Sequence, residues 1–83
     1  MKPSRDLVRQ IKSLNSREEI EMFLLGILTP QEIEQLNQRL EIVRLLKGGM
    51  PQREIADKLG VGIATVTRGS REIKLGRFGM VAR

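Results

Sequence analysis

Apolar residues recur three and four positions apart along nearly the whole chain, and nowhere alternate with polar ones for long enough to make a strand. That pattern confines the fold to packed helices. Leu7, Val8, Ile11 and Leu14 mark a first short helix over residues 4–14, broken at Asn15-Ser16. Ser16-Arg17-Glu18-Glu19 reads as a capping box, in which a serine oxygen takes an amide hydrogen of the first turn and a glutamate reaches back. It opens a second helix, 17–27, with Ile20, Phe23, Leu24, Ile27 and Leu28 as its stripe. Thr29-Pro30-Gln31-Glu32 is a stronger start signal, with threonine as cap and proline at the first helical position. The third helix runs to Lys47 and stops at Gly48-Gly49. Pro51 is expected at the first position of a fourth helix that continues to Leu59. A fifth starts at Val61 or Gly62 and runs to Leu75.

Such a chain has little interior to work with. Its 83 residues bury only about 60% of the surface that the unfolded chain exposes. There is no cysteine and no histidine, which removes disulfides and makes a zinc site untenable. A second subunit is the remaining supplement. The apolar positions of the third helix (Ile33, Leu36, Leu40, Ile42, Val43, Leu45, Leu46) form a stripe too wide for one small contact, so burial on two sides is expected. No segment approaches the roughly 20 apolar residues that span a bilayer, and the amino-terminus leads into no secretory apolar region. A cytoplasmic, nucleoid-associated protein with no membrane partner is the expectation.

Charge is unevenly placed. Residues 1–38 carry five basic and six acidic side chains, a net of −1, and residues 39–83 carry ten and four, a net of +6. A basic carboxy-terminal half is an electrostatic footprint for nucleic acid or for an anionic membrane, and the basic residues do not line one face of a strongly apolar helix as membrane binding would need.

Residues 52–71 hold the most informative arrangement. Gly60 stands at a sharp turn between two short helices, and Ala56 is a small side chain where those helices would approach. Ile55, Leu59, Val61 and Val66 have the spacing to close a small core between them. Ile63, Ala64, Thr67 and Arg71 are then left around the start and outer face of the second helix. In a DNA-binding helix-turn-helix that helix enters the major groove. Gly69 stands where the motif usually has an apolar packing residue. A glycine inside a helix costs about 1 kcal/mol relative to alanine, so something is expected to approach its backbone closely.

Several of these residues are similar to one family. Thr29-Pro30, Arg39, Gln52-Arg53-Glu54 and the run Gly62-Ile63-Ala64-Thr65-Val66-Thr67-Arg68-Gly69-Ser70 closely resemble the tryptophan repressor family over about residues 20–75. The interval from Arg39 to Met50 is one residue shorter than in the well-known repressors. It resembles a sister branch of shorter tryptophan-repressor-like regulators at Gln38-Arg39-Leu40-Glu41. The resemblance implies an all-α, intertwined homodimer of five short helices per chain with a C-terminal helix-turn-helix. Residues 1–50 would form the dimerisation core, 51–75 the DNA-binding head and 76–83 a tail too short for the family's closing helix. It also implies a palindromic double-stranded DNA operator, and L-tryptophan as a non-covalent corepressor that sets the two heads at the spacing of successive major grooves.

Carried over residue by residue, the resemblance puts Arg39 against one face of the indole and lets the other face approach the helix at Gly69. Arg68 would pair with the ligand carboxylate, Thr65 would border the pocket, and Thr29 would help close it. Glu72 occupies the place of a serine that meets the ligand's amino group, and a carboxylate can also bind an ammonium. On the DNA side, Arg53 matches a guanine-contacting arginine, and Ile63, Ala64 and Thr67 match positions facing base edges. Ala56 stands where the family often has a DNA-contacting lysine. Arg71, Lys74 and Arg77 are read as facing phosphates.

Plainer readings stand beside these. Arg68 and Glu72 are four apart and could simply pair with each other. Arg39 could lie along the surface with its charge in water, and Thr29 could be only a cap. A DNA-binding subunit that needs no ligand, as in some transposases, is the alternative function. Enzymatic work is not expected: without histidine or cysteine, no pair of residues is spaced for acid–base or nucleophilic catalysis, and no catalytic or metal-binding residue is assigned.

Overall fold

The computed structural model describes residues 1–82 and is all-helical. Five helices follow one another, with no strand among the described residues: α1 (Arg5–Lys12), α2 (Arg17–Ile27), α3 (Pro30–Lys47), α4 (Gln52–Leu59) and α5 (Ile63–Lys74). The chain divides into two compact units, Met1–Ile33 and the remainder from Glu34.

In the first unit, local hydrogen bonds set the helix ends. Ser4 Oγ accepts from the Leu7 amide at 3.0 Å and starts α1. The helix ends at Lys12 rather than reaching residue 14, because the Ser13 hydroxyl donates back to the Gln10 carbonyl at 2.7 Å and its amide is shared between the Arg9 and Gln10 carbonyls. Ser16 Oγ caps α2 through the Glu19 amide at 3.1 Å. Glu19 reaches back one residue further than expected, to the Asn15 amide at 2.8 Å. At α3 the box closes on itself. Thr29 Oγ1 accepts from the Glu32 amide at 3.1 Å, and the Thr29 amide donates to Glu32 Oε1 at 2.8 Å.

Neither α1 nor α2 has a buried residue. Met22 and Leu25 are 73% and 69% exposed, and Ile11, Ile20, Leu24 and Ile27 also face outward. Within this unit the apolar residues of α1 and α2 are thus left largely exposed.

The second unit holds the core. Ile42 and Val43 of α3, Ile55 and Ala56 of α4, and Val66 of α5 are buried, and Ile55 and Val66 are at 0% exposure. Leu45, Leu46, Met50, Leu59 and Val61 pack around the cluster formed by Ile42, Ile55, Ala56 and Val66. The small core expected between the two short helices is present, with Ile42 added from α3.

Two helix starts differ by a residue from the sequence reading. Pro51 caps α4 instead of occupying its first turn: its ψ is 147°, extended, and its carbonyl accepts from the Ile55 amide. The proline ring fixes φ equally well in either position, so the ring alone does not choose between them. Gly62 likewise caps α5, and Leu75 closes it. Between α4 and α5 the chain turns at Gly60, whose φ of 66° and ψ of 36° lie in the left-handed region that side chains disfavour.

Candidate functional site

A cavity of about 350 Å³ opens between α3, α5 and the segment after α5. That is the lower end of the range for small-molecule sites. α3 contributes Arg39, Ile42 and Val43, and α5 contributes Ala64, Thr65, Arg68, Gly69 and Glu72. Within each helix the neighbouring members of the group are one or three residues apart, the pattern 39/42/43 and 64/65/68/69/72, so helical period alone brings them to one side.

Of the six residues assigned to a ligand from the sequence, five line this cavity: Arg39, Thr65, Arg68, Gly69 and Glu72. Thr29 is not among them. It lies in the first unit, and its hydroxyl is engaged in capping α3. Ala64, assigned to base edges, also lines the cavity.

The close approach expected at Gly69 is present. A Cβ there would stand 3.2 Å from Ile42 Cγ2 and 3.5 Å from Leu46 Cδ1. α5 comes this near to α3 because position 69 has no side chain.

The intrahelical pair between Arg68 and Glu72 does not form. Glu72 Oε2 instead accepts from Arg77 Nε at 3.1 Å. A carboxylate accepts at both oxygens, so this bond leaves Oε1 able to take another donor. Among the described residues Arg68 pairs with no carboxylate, and its side chain is exposed at the cavity. One turn of α5 thus presents a cation and an anion to the same space.

Apart from Ala64, the residues assigned to DNA are not among those lining the cavity. Arg53 is exposed on the first turn of α4, and Ile63, the first residue of α5, is 50% exposed. Arg71 and Lys74 are exposed in the last turn of α5. Thr67 is half-buried, and its hydroxyl donates to Gln52 Oε1 at 2.9 Å, tying the middle of α5 to the start of α4. Its hydrogen is therefore committed within the protein, and an oxygen lone pair remains for an outside donor.

Sequence reasoning missed Phe78, the one aromatic side chain at the cavity. It follows α5 in the stretch of turns 75–80, in which Gly76 has a φ of +80°. The Lys47 ammonium at the end of α3 donates to the carbonyls of Phe78 and Val81. The available signal was compositional: Phe78 is one of only two aromatics in the chain. No helix among the described residues is long and apolar enough to cross a membrane.

The family model described as Trp repressor protein matches residues 4–80. The Trp operon repressor homolog of Vibrio vulnificus is 47% identical over 72 residues, covering 86% of this chain and 71% of that protein. Those of Vibrio cholerae and Photobacterium profundum are 50% and 46% identical over 70 residues, each covering 83% of this chain and 65% of the relative. No solved structure gives a significant match. These relationships define a DNA-binding regulator of transcription, not an enzyme. The chain belongs to the Trp repressor family.

Proposed function

We propose that the protein is a transcriptional repressor that binds a palindromic operator as an intertwined homodimer, with L-tryptophan as its corepressor. The observation that carries the ligand reading is the cavity at which Arg39, Arg68, Gly69 and Glu72 meet. Arg68 and Glu72 stand one turn apart on α5 and offer opposite charges to the two ends of an amino-acid zwitterion. The guanidinium of Arg39 is planar and can stack on an aromatic ring. Gly69 and Thr65 border the space left for that ring, and the apolar wall contains Ile42 and Val43.

In this reading α4, the turn at Gly60 and α5 act as the helix-turn-helix, with α5 in the major groove. Arg53, Ile63, Ala64 and Thr67 read base edges, while Arg71 and Lys74 neutralise phosphates. The outward apolar residues of α1, α2 and the first half of α3, among them Leu25, Leu36 and Leu40, supply the surface that a second copy covers. Operator binding would keep the protein at chromosomal DNA. Thr29 acts on α3 as a cap, and any role toward the ligand is secondary to that one.

Calorimetry on the purified chain, with and without a palindromic duplex, tests this. Tryptophan should bind and should tighten operator binding. If tryptophan leaves both operator affinity and melting temperature unchanged, the corepressor assignment is wrong.

A further inference from the structure

Beside α3 and α5, the chain after α5 contributes Phe78 to the lining of the cavity, and the way that segment is fastened gives it a task. Four hydrogen bonds hold residues 77–81 to the helices before them. Lys47, half-buried at the end of α3, donates to the carbonyls of Phe78 and Val81, 31 and 34 residues further along. Arg77 is tied to Glu72, itself a cavity residue. The Arg77 amide also donates to the Glu72 carbonyl at 3.1 Å as α5 unwinds. A surface segment with no task toward the cavity needs no half-buried ammonium to fix its course, since ordering a lysine side chain is entropically unfavourable.

We propose that this segment closes the ligand pocket, that Phe78 contacts the ligand's aromatic ring and favours aromatic over aliphatic amino acids, and that Lys47 is a positioning residue acting through Phe78. The proposal rests on the corepressor reading above and deepens it. Phe78 brings a π face to a pocket whose other apolar residues are aliphatic. Aromatic rings attract one another beyond the area they bury, so a ring-bearing ligand gains from Phe78 what an aliphatic one does not. The Glu72–Arg77 bond uses Oε2, and the ligand ammonium can be received at Oε1 without releasing the segment. The same carboxylate thus fastens the wall and receives the ligand.

The chain contains no tryptophan and no tyrosine, so the ligand is the only source of indole emission, and the change in that emission on binding reports on the pocket. The test is tryptophan binding to the full chain, by calorimetry and by ligand emission, for wild type, Phe78→Ala, Phe78→Tyr, Lys47→Met and the Lys47→Met/Phe78→Ala pair. L-leucine serves as an aliphatic competitor. Phe78→Ala should weaken tryptophan roughly tenfold with little change for leucine, and should red-shift the bound emission as water enters. Phe78→Tyr, which keeps the ring, should retain most of the affinity. Lys47→Met should weaken tryptophan on its own and add little in the double variant, since both act through one contact. Wild-type tryptophan affinity in Phe78→Ala, equal losses for both ligands, or fully additive losses in the pair would overturn this proposal while leaving the corepressor reading intact. Failure of the wild-type chain to bind tryptophan would overturn both.

Discussion

Gly69 and Ile42 meet so closely that a methyl group on the glycine would come within 3.2 Å of Ile42 Cγ2. Ile42 is 1% exposed and its Cγ2 hangs directly on Cβ, so the contact cannot be relieved by swinging the end of a long side chain. Gly69→Ala gains about 1 kcal/mol of helix propensity, and overpacking costs about 1–3 kcal/mol. The expected outcome is net destabilisation of about 1 kcal/mol, together with weaker tryptophan binding. Urea unfolding measures the first and calorimetry the second. A more stable Gly69→Ala protein would mean that the two helices have room to part.

Thr29 separates two roles that the sequence left open. Its hydroxyl accepts from the Glu32 amide, so Thr29→Ala should lower stability by about 1 kcal/mol, and Thr29→Ser should restore it. Tryptophan affinity, compared under conditions where the variant remains folded, should fall much less than for Arg68→Ala. An equal fall would make Thr29 a ligand residue.

Base reading and phosphate neutralisation should separate at Arg53 and Lys74. Arg53→Ala is expected to weaken operator binding by about 1–3 kcal/mol and relax sequence preference. Lys74→Gln should weaken operator and random duplex alike and lower the salt slope by about 1. Arg77 was grouped with the phosphate-facing residues in the sequence reading. Its bond to Glu72 removes part of its freedom, so its effect on the salt slope should be smaller than that of Lys74.

Leu25 tests the second copy. At 69% exposure it contributes little to a single chain, so Leu25→Glu should be nearly neutral for a monomer. Within a covered apolar face it should strongly shift sedimentation from dimer toward monomer. An unchanged sedimentation profile would remove Leu25 from the proposed interface.

What could be read from the sequence was what is local. The caps at Ser16 and Thr29, the span of α2, and the stops at Gly48 and Gly60 depend on partners within a few residues, and all stand in the structure. Ile55, Val66 and the five cavity residues followed from helical period and from the family run. Phe78 was hidden because its placement depends on Lys47, 31 residues away, and no short spacing encodes that. The Arg68–Glu72 pairing rule failed for a related reason: beyond the end of α5 the chain turns back and delivers Arg77 to the same carboxylate.

The absence of any buried residue in α1 and α2 has a consequence for how the protein would respond to its own abundance. These helices are 8 and 11 residues long, and helices of that length are marginal in water without packing. With a second copy as their cover, their integrity becomes a matter of encounter. Chains too dilute to meet would keep the head built on Ile55 and Val66 while the amino-terminal third frays. Gene dosage would then set both the number of heads and the fraction of them that is braced, so repression should rise more steeply than the amount of protein made.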